Sequence, residues 1–325
     1  MSDRITSKCR LCDCPEATIV LWGRDLLFDL PGRFALARCL GCGLHYSWPA
    51  LSPRSLQEHY PGEYYSSVPA PRRPRHRNLL LRIGRRLYRA LMLGGGISYL
   101  GSTLPPGWID LALPIKRNPG RLLDVGAGSG RFIAAAIGMG WKAEALDIGP
   151  SVCRVGETLG IRTYQGALEH VARGMESAFD LISFNHVLEH LPDPLATLLA
   201  ARELLSNGGV IRIQIPLWRP SFARLFGPYW SPIDLPRHRF QYRPSDLRRL
   251  AARAGLGCVL FVPETGTHPL SSSLKLLAHG SSRFRSWERV WSVDNHVIRA
   301  MMFPLGWCLA LFRRPIEATF YLMKT

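Results

Sequence analysis

Apolar runs separated by glycine-rich or polar turns recur through the second half of the chain. Residues 121–125 form one such run, residues 131–138 carry apolar positions at helical spacing, and residues 142–148 form another run. Short apolar runs bounded by turns predict buried strands, and the spacing over 131–138 predicts a helix. The predicted order is therefore strand, turn, helix and strand.

The turn between the first predicted strand and the helix is rich in glycine. Gly126, Gly128 and Gly130 lack side chains where the backbone must turn sharply and approach a ligand closely. Asp147 closes the second strand, and a carboxylate there can accept hydrogen bonds from both hydroxyls of a ribose. Together these features predict a site for a ligand that contains a ribose.

The segment LLDVGAGSG with Asp147 resembles the S-adenosylmethionine (SAM) site of class I methyltransferases. Asp124 precedes the first glycine, where the resemblance places an acid near the methionine portion of SAM. Position 131 is arginine, so the glycines lack the GxGxxG spacing that cradles the pyrophosphate of a dinucleotide. The resemblance therefore favours SAM over a nicotinamide cofactor.

The resemblance covers roughly residues 119–325 and implies an α/β fold. The fold it implies is that of a Rossmann-like class I methyltransferase, with a seven-stranded, mostly parallel sheet and helices on both faces. The remaining strands are expected within residues 161–164, 179–194, 204–216, 258–262 and 318–323. The resemblance also implies the residues that contact SAM, which are Asp124, Gly126, Ala127, Gly128, Gly130, Asp147, Ile148, Ala167, Leu168, Asn185 and His186.

Two further segments resemble those of methyltransferases in polysaccharide and lipid-linked sugar pathways. One is CGLHYSWP, which lies near the amino terminus, and the other is DLPRHRFQYRPSDLRRLAARAGL at residues 234–256. The resemblance implies a saccharide, a nucleotide sugar or a lipid-linked glycan as the methyl acceptor.

Composition and charge extend this picture. A chain of 325 residues exceeds the usual single domain, so a large domain with a small module is expected. The 41 basic and 24 acidic residues give a formal net charge of +17, which favours an anionic partner such as a membrane surface, nucleic acid or phosphorylated substrate.

The first residues lack the apolar core of a secretory signal, and no uninterrupted apolar run approaches the ~20 residues that span a bilayer. We therefore expect a cytoplasmic protein, whose cysteines are metal ligands or core thiols.

Four cysteines form two CxxC pairs, Cys9 with Cys12 and Cys39 with Cys42. Each pair lets two thiolates converge on one ion, and two pairs satisfy a tetrahedral structural zinc. With the alternating apolar residues between them, they predict a small zinc ribbon over residues 1–60. Reduced thiols without a metal are the alternative, and Cys14 is expected to be a bystander. The closed site indicates a structural or substrate-docking role.

Residues 61–118 are expected to form a basic, amphipathic helical linker. Eight arginines lie between residues 72 and 89, and no acidic residue occurs from 64 to 109. Leucine and isoleucine recur at four-residue spacing on a face separate from several of these arginines. Such a helix can bind an anionic membrane surface. Alternatively, it can pack its leucines on the methyltransferase sheet and leave the arginines in water.

A second apolar region lies in an insertion, residues 266–315, between the sixth and seventh predicted strands. Its apolar run 301–312 is followed by two arginines, and tryptophans lie nearby. Such a segment suits a membrane interface, a lid over an apolar substrate or a dimer contact. Peripheral membrane association is therefore a hypothesis, and the oligomeric state stays open.

The loop after the fourth predicted strand carries the first candidate catalytic groups. In open parallel sheets the ligand crevice lies outside the carboxyl ends of the strands, so this loop is expected to face the transferred methyl group. A base is needed if the acceptor loses a proton, and His186 is the first candidate because the ordinary pKa of histidine is about 6.5. Glu189 and His190 are further candidates. They can instead organise the loop or coordinate a divalent metal ion.

A second cluster follows the fifth predicted strand, where the resemblance places the acceptor pocket. The candidates for substrate contact are Trp230, Arg237, His238 and Tyr242. Arg237 offers a bidentate fork to phosphate or carboxylate, and His238 is an alternative base. Equally, Arg237 can pair with Asp234 and fix the loop.

The leading hypothesis is transfer of a methyl group from SAM to a small molecule, at a hydroxyl of a saccharide, nucleotide sugar or lipid-linked glycan. An RNA methyltransferase is the alternative, because a zinc ribbon and a basic surface would both serve RNA docking. The loop after the fourth strand lacks the (N/D)PP(Y/F)-type motif common in base-modifying methyltransferases, so RNA is the less favoured partner. A non-enzymatic scaffold is a third hypothesis, which the intact glycine turn and Asp147 oppose.

Overall fold

Two β-sheets organise the part of the chain that the structure describes. The structure is a computed structural model, and it describes residues 3–61, 119–175, 178–264, 268–280, 296–312 and 314–325. The larger sheet has seven strands and the smaller sheet has five. The predicted basic helix of the linker lies outside the described residues.

The strands, in chain order, are β1 (Arg4–Thr6), β2 (Glu16–Gly23), β3 (Phe34–Cys39), β4 (His45–Trp48), β5 (Arg121–Val125), β6 (Lys142–Asp147), β7 (Thr163–Gln165), β8 (Phe179–Asn185), β9 (Leu205–Pro216), β10 (Phe240–Gln241), β11 (Leu256–Glu264) and β12 (Glu317–Lys324). The α-helices are α1 (Pro53–Gln57), α2 (Arg131–Gly138), α3 (Ser151–Leu159), α4 (Leu168–Val171), α5 (Pro194–Leu204), α6 (Pro220–Phe226), α7 (Pro244–Arg253), α8 (His268–Gly280) and α9 (His296–Leu311).

The larger sheet has the strand order β11-β12-β9-β8-β5-β6-β7. Among its described strands β12 is the reversed one, so its pairs with β11 and β9 are antiparallel. The remaining described pairs are parallel. Strands alternate with helices along the chain, which is the arrangement that gives parallel α/β sheets. The prediction of a Rossmann-like, seven-stranded and mostly parallel sheet is therefore confirmed.

Helices cover both faces of this sheet. Successive side chains of a strand point to opposite faces, so neighbouring residues of β5 enter different cores. Leu122 packs in the core that contains Ile133 of α2. Leu123 packs in the core that contains Leu198 of α5 and Leu250 of α7. The strand is apolar along most of its length because both of its faces are buried.

The loop between β8 and α5 has fixed ends. Asp193 caps α5 by accepting a hydrogen bond from the backbone N–H of Ala196 at 3.0 Å. Pro194 occupies the first turn, where a missing N–H costs little and the fixed φ favours the helix. Residues 186–193 are therefore a short connection at the carboxyl end of β8, where the candidate catalytic groups lie.

Some strand boundaries differ from the predicted ones. β7 comprises Thr163–Gln165 instead of residues 161–164, and β6 ends at Asp147 instead of residue 148. The side chain of Ile148 is 74% exposed, so this apolar residue does not continue the buried strand. β11 and β12 are each longer than predicted. An apolar pattern locates the buried centre of a strand but not its exposed ends.

The predicted insertion between β11 and β12 contains α8 and α9. On and just after α9, Met301, Leu305 and Phe312 are exposed. None of the described helices has the length and hydropathy that crossing a membrane requires. Membrane association stays a prediction.

The smaller sheet has the order β1-β2-β3-β4-β10, and its last strand comes from the second half of the chain. Phe240 pairs with Tyr46, and Gln241 pairs with His45. The sheet was predicted to lie within residues 1–60, whereas β10 extends it by covering the free edge of β4. Pairing satisfies backbone groups that an edge strand would leave open. The amino-terminal segment and the part of the chain that forms the larger sheet thus share the smaller sheet.

Arg237 joins the same two parts of the chain through a buried ion pair. Its Nη1 donates to Oδ2 of Asp25 at 2.6 Å, and its Nη2 donates to Oδ1 of Asp25 at 2.8 Å. The side chains of Arg237 and Asp25 have no exposed surface. Although burial favours the neutral acid, the hydrogen bonds and charge of Arg237 hold the pKa of Asp25 below its ordinary value. The pair therefore fixes the amino-terminal segment against the loop that contains Arg237.

Removal of Asp25 should destabilise the protein strongly. We expect Asp25→Ala to lower the free energy of unfolding by about 3–5 kcal/mol, because a buried guanidinium loses its partner. Denaturant titration followed by tryptophan fluorescence measures this change. Arg24→Ala is the matched control, since Arg24 pairs with Asp29 at the exposed surface and should contribute less than about 1 kcal/mol. Equal effects of the two substitutions would contradict the role of the buried pair.

Candidate functional site

The glycine turn after β5 has the conformation that the sequence predicts. Gly126, Gly128 and Gly130 all have positive φ, at 73°, 49° and 74°. A Cβ atom on Gly126 would lie 2.3 Å from Cγ2 of Val187, so the turn also approaches the loop after β8 too closely for a side chain. Glycine is therefore required here by conformation and by packing.

Asp147 lies at the carboxyl end of β6, next to this turn. Its Oδ2 accepts from the backbone N–H of Gly128 at 2.9 Å, and its Oδ1 accepts from that of Gly149 at 2.9 Å. The carboxylate is thus held in place before any ligand binds. The exposed side chain of Ile148 lies beside it and offers an apolar surface of the kind that an adenine ring needs.

The other residues predicted to contact SAM lie around the same edge. Ala127 is in the turn, Ala167 precedes α4, and Leu168 is 1% exposed. Because the side chain of Leu168 is in the core, only its backbone can face a ligand. The structure brings the predicted group to one sheet edge, and its contacts with SAM stay predictions.

Asp124 lies below the turn and is almost fully buried. Oδ1 of Asp124 accepts from Oγ of Ser183 at 2.6 Å and from Nδ2 of Asn185 at 2.9 Å. Arg212 donates to the Asn185 amide oxygen and, through Nη2, to Oε1 of Gln214 at 2.8 Å. Burial raises the pKa of Asp124 to about 7, although these hydrogen bonds act in the opposite direction. A chain of polar groups therefore crosses β5, β8 and β9 beneath the predicted cofactor site.

Two loops bring the four predicted catalytic side chains together: His186, Glu189 and His190 follow β8, and His238 precedes β10. Nδ1 of His186 lies 3.5 Å from Oε1 of Glu189, and His186 has a φ of 54°, which is uncommon outside glycine. The rings of His190 and His238 meet edge to face, with centroids 4.6 Å apart. This group is hereafter called the histidine cluster.

Burial and charge shift the protonation of this cluster. Burial opposes the charged form of His186, but Glu189 and the nearby Glu317 outweigh burial and raise its pKa to about 8. Burial lowers the pKa of His190 to about 4, and the charge of His238 acts in the same direction. Burial favours the neutral acid of Glu189, but the neighbouring histidines lower its pKa. The arrangement therefore contains a carboxylate among three imidazoles.

Two of the residues predicted to bind the substrate, Trp230 and Tyr242, are buried. Trp230 stacks between Phe222 and Phe226 and has no exposed surface. Tyr242 is 1% exposed. Both are packed in cores, so substrate contact would require movement of the residues that cover them.

Arg237 pairs with Asp234 and fixes its loop, which was the alternative to substrate binding. Beyond its bonds to Asp25, its Nε and Nη2 donate to Asp234, and its Nη1 donates to the backbone oxygen of His59 at 3.0 Å. These contacts use all five N–H groups of the guanidinium. The prediction that Arg237 holds an anionic substrate group is therefore corrected: no donor remains for it.

Several residues of this region were not predicted. Tyr60 lies with its hydroxyl 2.9 Å from Nδ1 of His190, and no motif in the sequence links these distant positions. Arg212 and Gln214 are buried on β9. Their alternation with isoleucines in IRIQIP could have identified them as polar residues of a strand.

Glu264 and Glu317 are buried near His186 at the ends of β11 and β12, and burial raises the pKa of both. Only the fold brings these strand ends together.

The four predicted zinc ligands converge at the end of the smaller sheet. Sγ of Cys9 lies 3.6 Å from Sγ of Cys42, and Sγ of Cys12 lies 3.6 Å from Sγ of Cys39. All four sulfurs lie within 4.8 Å of one another, and Cys14 is not in this group. The backbone N–H groups of Leu11 and Cys42 point to the sulfurs of Cys9 and Cys39, respectively. The residues form a cluster that could hold one metal ion.

Comparisons with known proteins identify the larger unit. Residues 102–260 match a family profile described as a methyltransferase domain. A ubiquinone biosynthesis O-methyltransferase from Xanthomonas campestris is 33% identical over 115 residues, which are 33% of this chain and 48% of that protein. A protein of the same name from Thiobacillus denitrificans is 27% identical over 165 residues, which are 46% of this chain and 68% of that protein. The chain spans about half the length of the first of these relatives.

Solved structures are also similar to this chain, at lower sequence identity. A cyclopropane synthase from Mycobacterium tuberculosis shares 19% identity and a TM-score of 0.44, over 67% of this chain and 83% of that chain. The profile match and the strand order together identify a SAM-dependent methyltransferase domain in this chain.

Removal of the Asp147 carboxylate should weaken cofactor binding. We expect Asp147→Ala to lower the affinity for SAM or S-adenosylhomocysteine at least ~100-fold, because each hydrogen bond to a charged group contributes roughly 1.5–3 kcal/mol. Isothermal titration calorimetry measures the change. Asp147→Asn keeps one acceptor oxygen and should be intermediate, and Lys142→Ala, an exposed position on the same strand, should bind normally. Unchanged affinity in Asp147→Ala would place the cofactor elsewhere.

Proposed function

We propose that this protein transfers a methyl group from SAM to a hydroxyl oxygen of a small molecule. The observation that carries the proposal is the histidine cluster, in which His186, Glu189 and His190 lie directly after β8, beside the predicted SAM site. Methyl transfer is an in-line displacement at carbon, and an enzyme can contribute ~7–11 kcal/mol by holding donor and acceptor in line. A hydroxyl acceptor must also lose its proton, which requires a base at this position.

His186 is the proposed base. Its side chain is 35% exposed, whereas the side chains of Glu189 and His238 are 1% and 12% exposed. Its Nδ1 faces Glu189, so Nε2 is the ring nitrogen left to take a proton from a bound hydroxyl. A carboxylate behind an imidazole orients the ring and stabilises the imidazolium that forms, as in other acid–base pairs. Glu189 thus acts as a positioning residue for His186.

The proposed acceptor is polyhydroxylated: a saccharide, a nucleotide sugar or a lipid-linked glycan. Buried carboxylates and an amide lie at the ends of β9, β11 and β12, close to His186, and they are Gln214, Glu264 and Glu317. Carboxylate and amide groups hydrogen-bond sugar hydroxyls well. The resemblance of CGLHYSWP and of the 234–256 segment to sugar-pathway enzymes supports the same class.

A phenolic acceptor is the second candidate. It is favoured by the relatives named ubiquinone biosynthesis O-methyltransferases, which match part of the chain at 27–33% identity. The two candidates share the methyl donor and the base, so they differ only in the acceptor. No comparable observation supports RNA as the acceptor, so methyl label found only in RNA would contradict the proposal.

The experiment uses methyl-labelled SAM with lysate from the source organism, separated into lipid, saccharide, phenolic, nucleic-acid and protein fractions. We expect label in the saccharide or glycolipid fraction. His186→Asn should lower kcat about 10²–10⁴-fold, because it removes the base. Asparagine is chosen since it tolerates the positive φ at this position.

The control is His279→Ala, an exposed histidine on α8, which should keep full activity. Label in phenolic material would favour the second candidate. Label in RNA alone, or full activity of His186→Asn, would contradict the proposal.

We also propose that the four cysteines hold a structural zinc ion. A Zn–S distance of about 2.3 Å places the sulfurs of a tetrahedron about 3.8 Å apart, and the Sγ–Sγ distances from Cys9 to Cys42 and from Cys12 to Cys39 are both 3.6 Å. Four protein ligands close the coordination sphere, so the ion would stabilise the smaller sheet and take no part in catalysis. The thiols therefore fit the predicted ion in number and in spacing.

Loss of one thiol should release this ion. We expect Cys39→Ser to reduce the zinc content by one equivalent per chain and to lower the unfolding midpoint, because metal binding contributes to folding. Inductively coupled plasma mass spectrometry and denaturant titration measure the two effects. Cys153→Ser, at an exposed thiol on α3, is the control. Full zinc content in Cys39→Ser would disprove the site.

A further inference from the structure

A second group of potential metal ligands lies in the histidine cluster. Glu189, His190 and His238 each offer one ligand atom, and these atoms lie within 4.8 Å of one another. Two imidazoles and one carboxylate form the ligand set that borderline divalent ions such as Zn²⁺, Mn²⁺ and Fe²⁺ accept. The residues come from two loops, the one after β8 and the one before β10, so only the fold assembles the group.

Glu189 gives an independent indication of a missing ligand. Its side chain is 1% exposed, and neither of its carboxylate oxygens accepts a hydrogen bond among the described residues. The contact with Nδ1 of His186 at 3.5 Å involves Oε1 alone, so burial leaves Oε2 with no hydrogen bond in place of the water it loses, which is costly. A cation bound between Glu189 and the two histidines would remove this cost.

The outer nitrogens of the two histidines are oriented as in metal sites. Nδ1 of His190 lies 3.1 Å from the backbone oxygen of Arg237, and Nδ1 of His238 lies 2.7 Å from that of Pro232. A carbonyl oxygen only accepts hydrogen bonds, so these two contacts form in the tautomer that carries the hydrogen on Nδ1. Nε2 of each ring then keeps its lone pair. Histidines that bind metals commonly donate their other N–H to a backbone carbonyl in this way.

The surrounding charges are compatible with a cation. Oδ2 of Asp234 lies 3.9 Å from Nε2 of His238 and adds negative charge on that side. The charge of Arg237 is already balanced by Asp25 and Asp234, which it contacts directly. The hydroxyl of Tyr60 lies 2.9 Å from Nδ1 of His190 and adds a polar contact behind the ring.

We propose that Glu189, His190 and His238 bind one divalent transition-metal ion with open coordination positions. Three protein ligands leave room for oxygen atoms of an acceptor, unlike the closed set of four cysteines. The role of the ion rests on the proposed function: it would bind the acceptor hydroxyl and ease the loss of its proton to His186. Metal binding itself does not depend on that role and can be tested without an acceptor.

The test measures the metal content of the full-length protein after chelation and reloading with Co²⁺. We expect about two ions per chain in the wild type, one for each of the two ligand groups. Glu189→Gln and His238→Ala should each reduce the content to about one. Intense thiolate-to-cobalt absorption should persist in both variants and disappear in Cys39→Ser, which assigns the remaining ion to the cysteines. His279→Ala is the matched control and should bind two ions.

Calorimetric titration with S-adenosylhomocysteine tests whether the variants are folded, because Asp147 and the glycine turn are unchanged in them. About one ion in the wild type, or two ions retained in both Glu189→Gln and His238→Ala, would overturn the metal site. Two ions in the wild type without methyl transfer to any fraction would leave the metal site standing and overturn the proposed function. Methyl transfer at full rate by protein that holds only the cysteine-bound ion would overturn the catalytic role of the second ion.

Discussion

The buried guanidinium of Arg237 is the contact on which the described arrangement most depends. It reaches Asp25 and the backbone of His59 in the amino-terminal segment and Asp234 in its own loop. A buried charge is tolerated only when its partners replace water completely, so these groups must stay together. The same contact positions the backbone oxygen of Arg237 to receive Nδ1 of His190. One ion pair thus links the smaller sheet to the loop that carries the candidate catalytic groups.

This link explains why the amino-terminal segment lies so near the predicted site. Tyr60 follows His59, whose backbone oxygen contacts Arg237, and its hydroxyl then reaches His190. β10 extends the smaller sheet with residues that immediately follow the Arg237 loop. A metal-stabilised smaller sheet would therefore serve the reaction indirectly, by holding Arg237 and the histidines in place.

Near the predicted cofactor site, the polar groups are joined by hydrogen bonds between neighbouring strands and not by one ion pair between distant segments. Asp124, Asn185 and Arg212 form a buried chain of hydrogen bonds that ends at Gln214. This chain contains Asp124, whose pKa burial raises to about 7, and it extends from β5 across β8 to β9. Each member is held by its neighbours, so the edge of the sheet is preorganised before ligands bind.

Periodicity and short motifs were sufficient to predict the larger sheet and the residues expected to bind the methyl donor. The apolar runs indicated the strands of the larger sheet, and Gly126 and Asp147 indicated the edge where a ligand is predicted to bind, because strand burial and positive φ leave a local pattern in the sequence. The acceptor half has no comparable local signal. Whether Arg237 binds a substrate or Asp25, and whether Tyr60 and Glu317 reach the site, depends on distant segments meeting in space. The sequence by itself therefore determined the succession of strands and helices and the glycine turn with Asp147 at which SAM is predicted to bind. Only the tertiary structure decided the partners of the buried charges, because burial forces each charge to find a partner wherever the fold provides one.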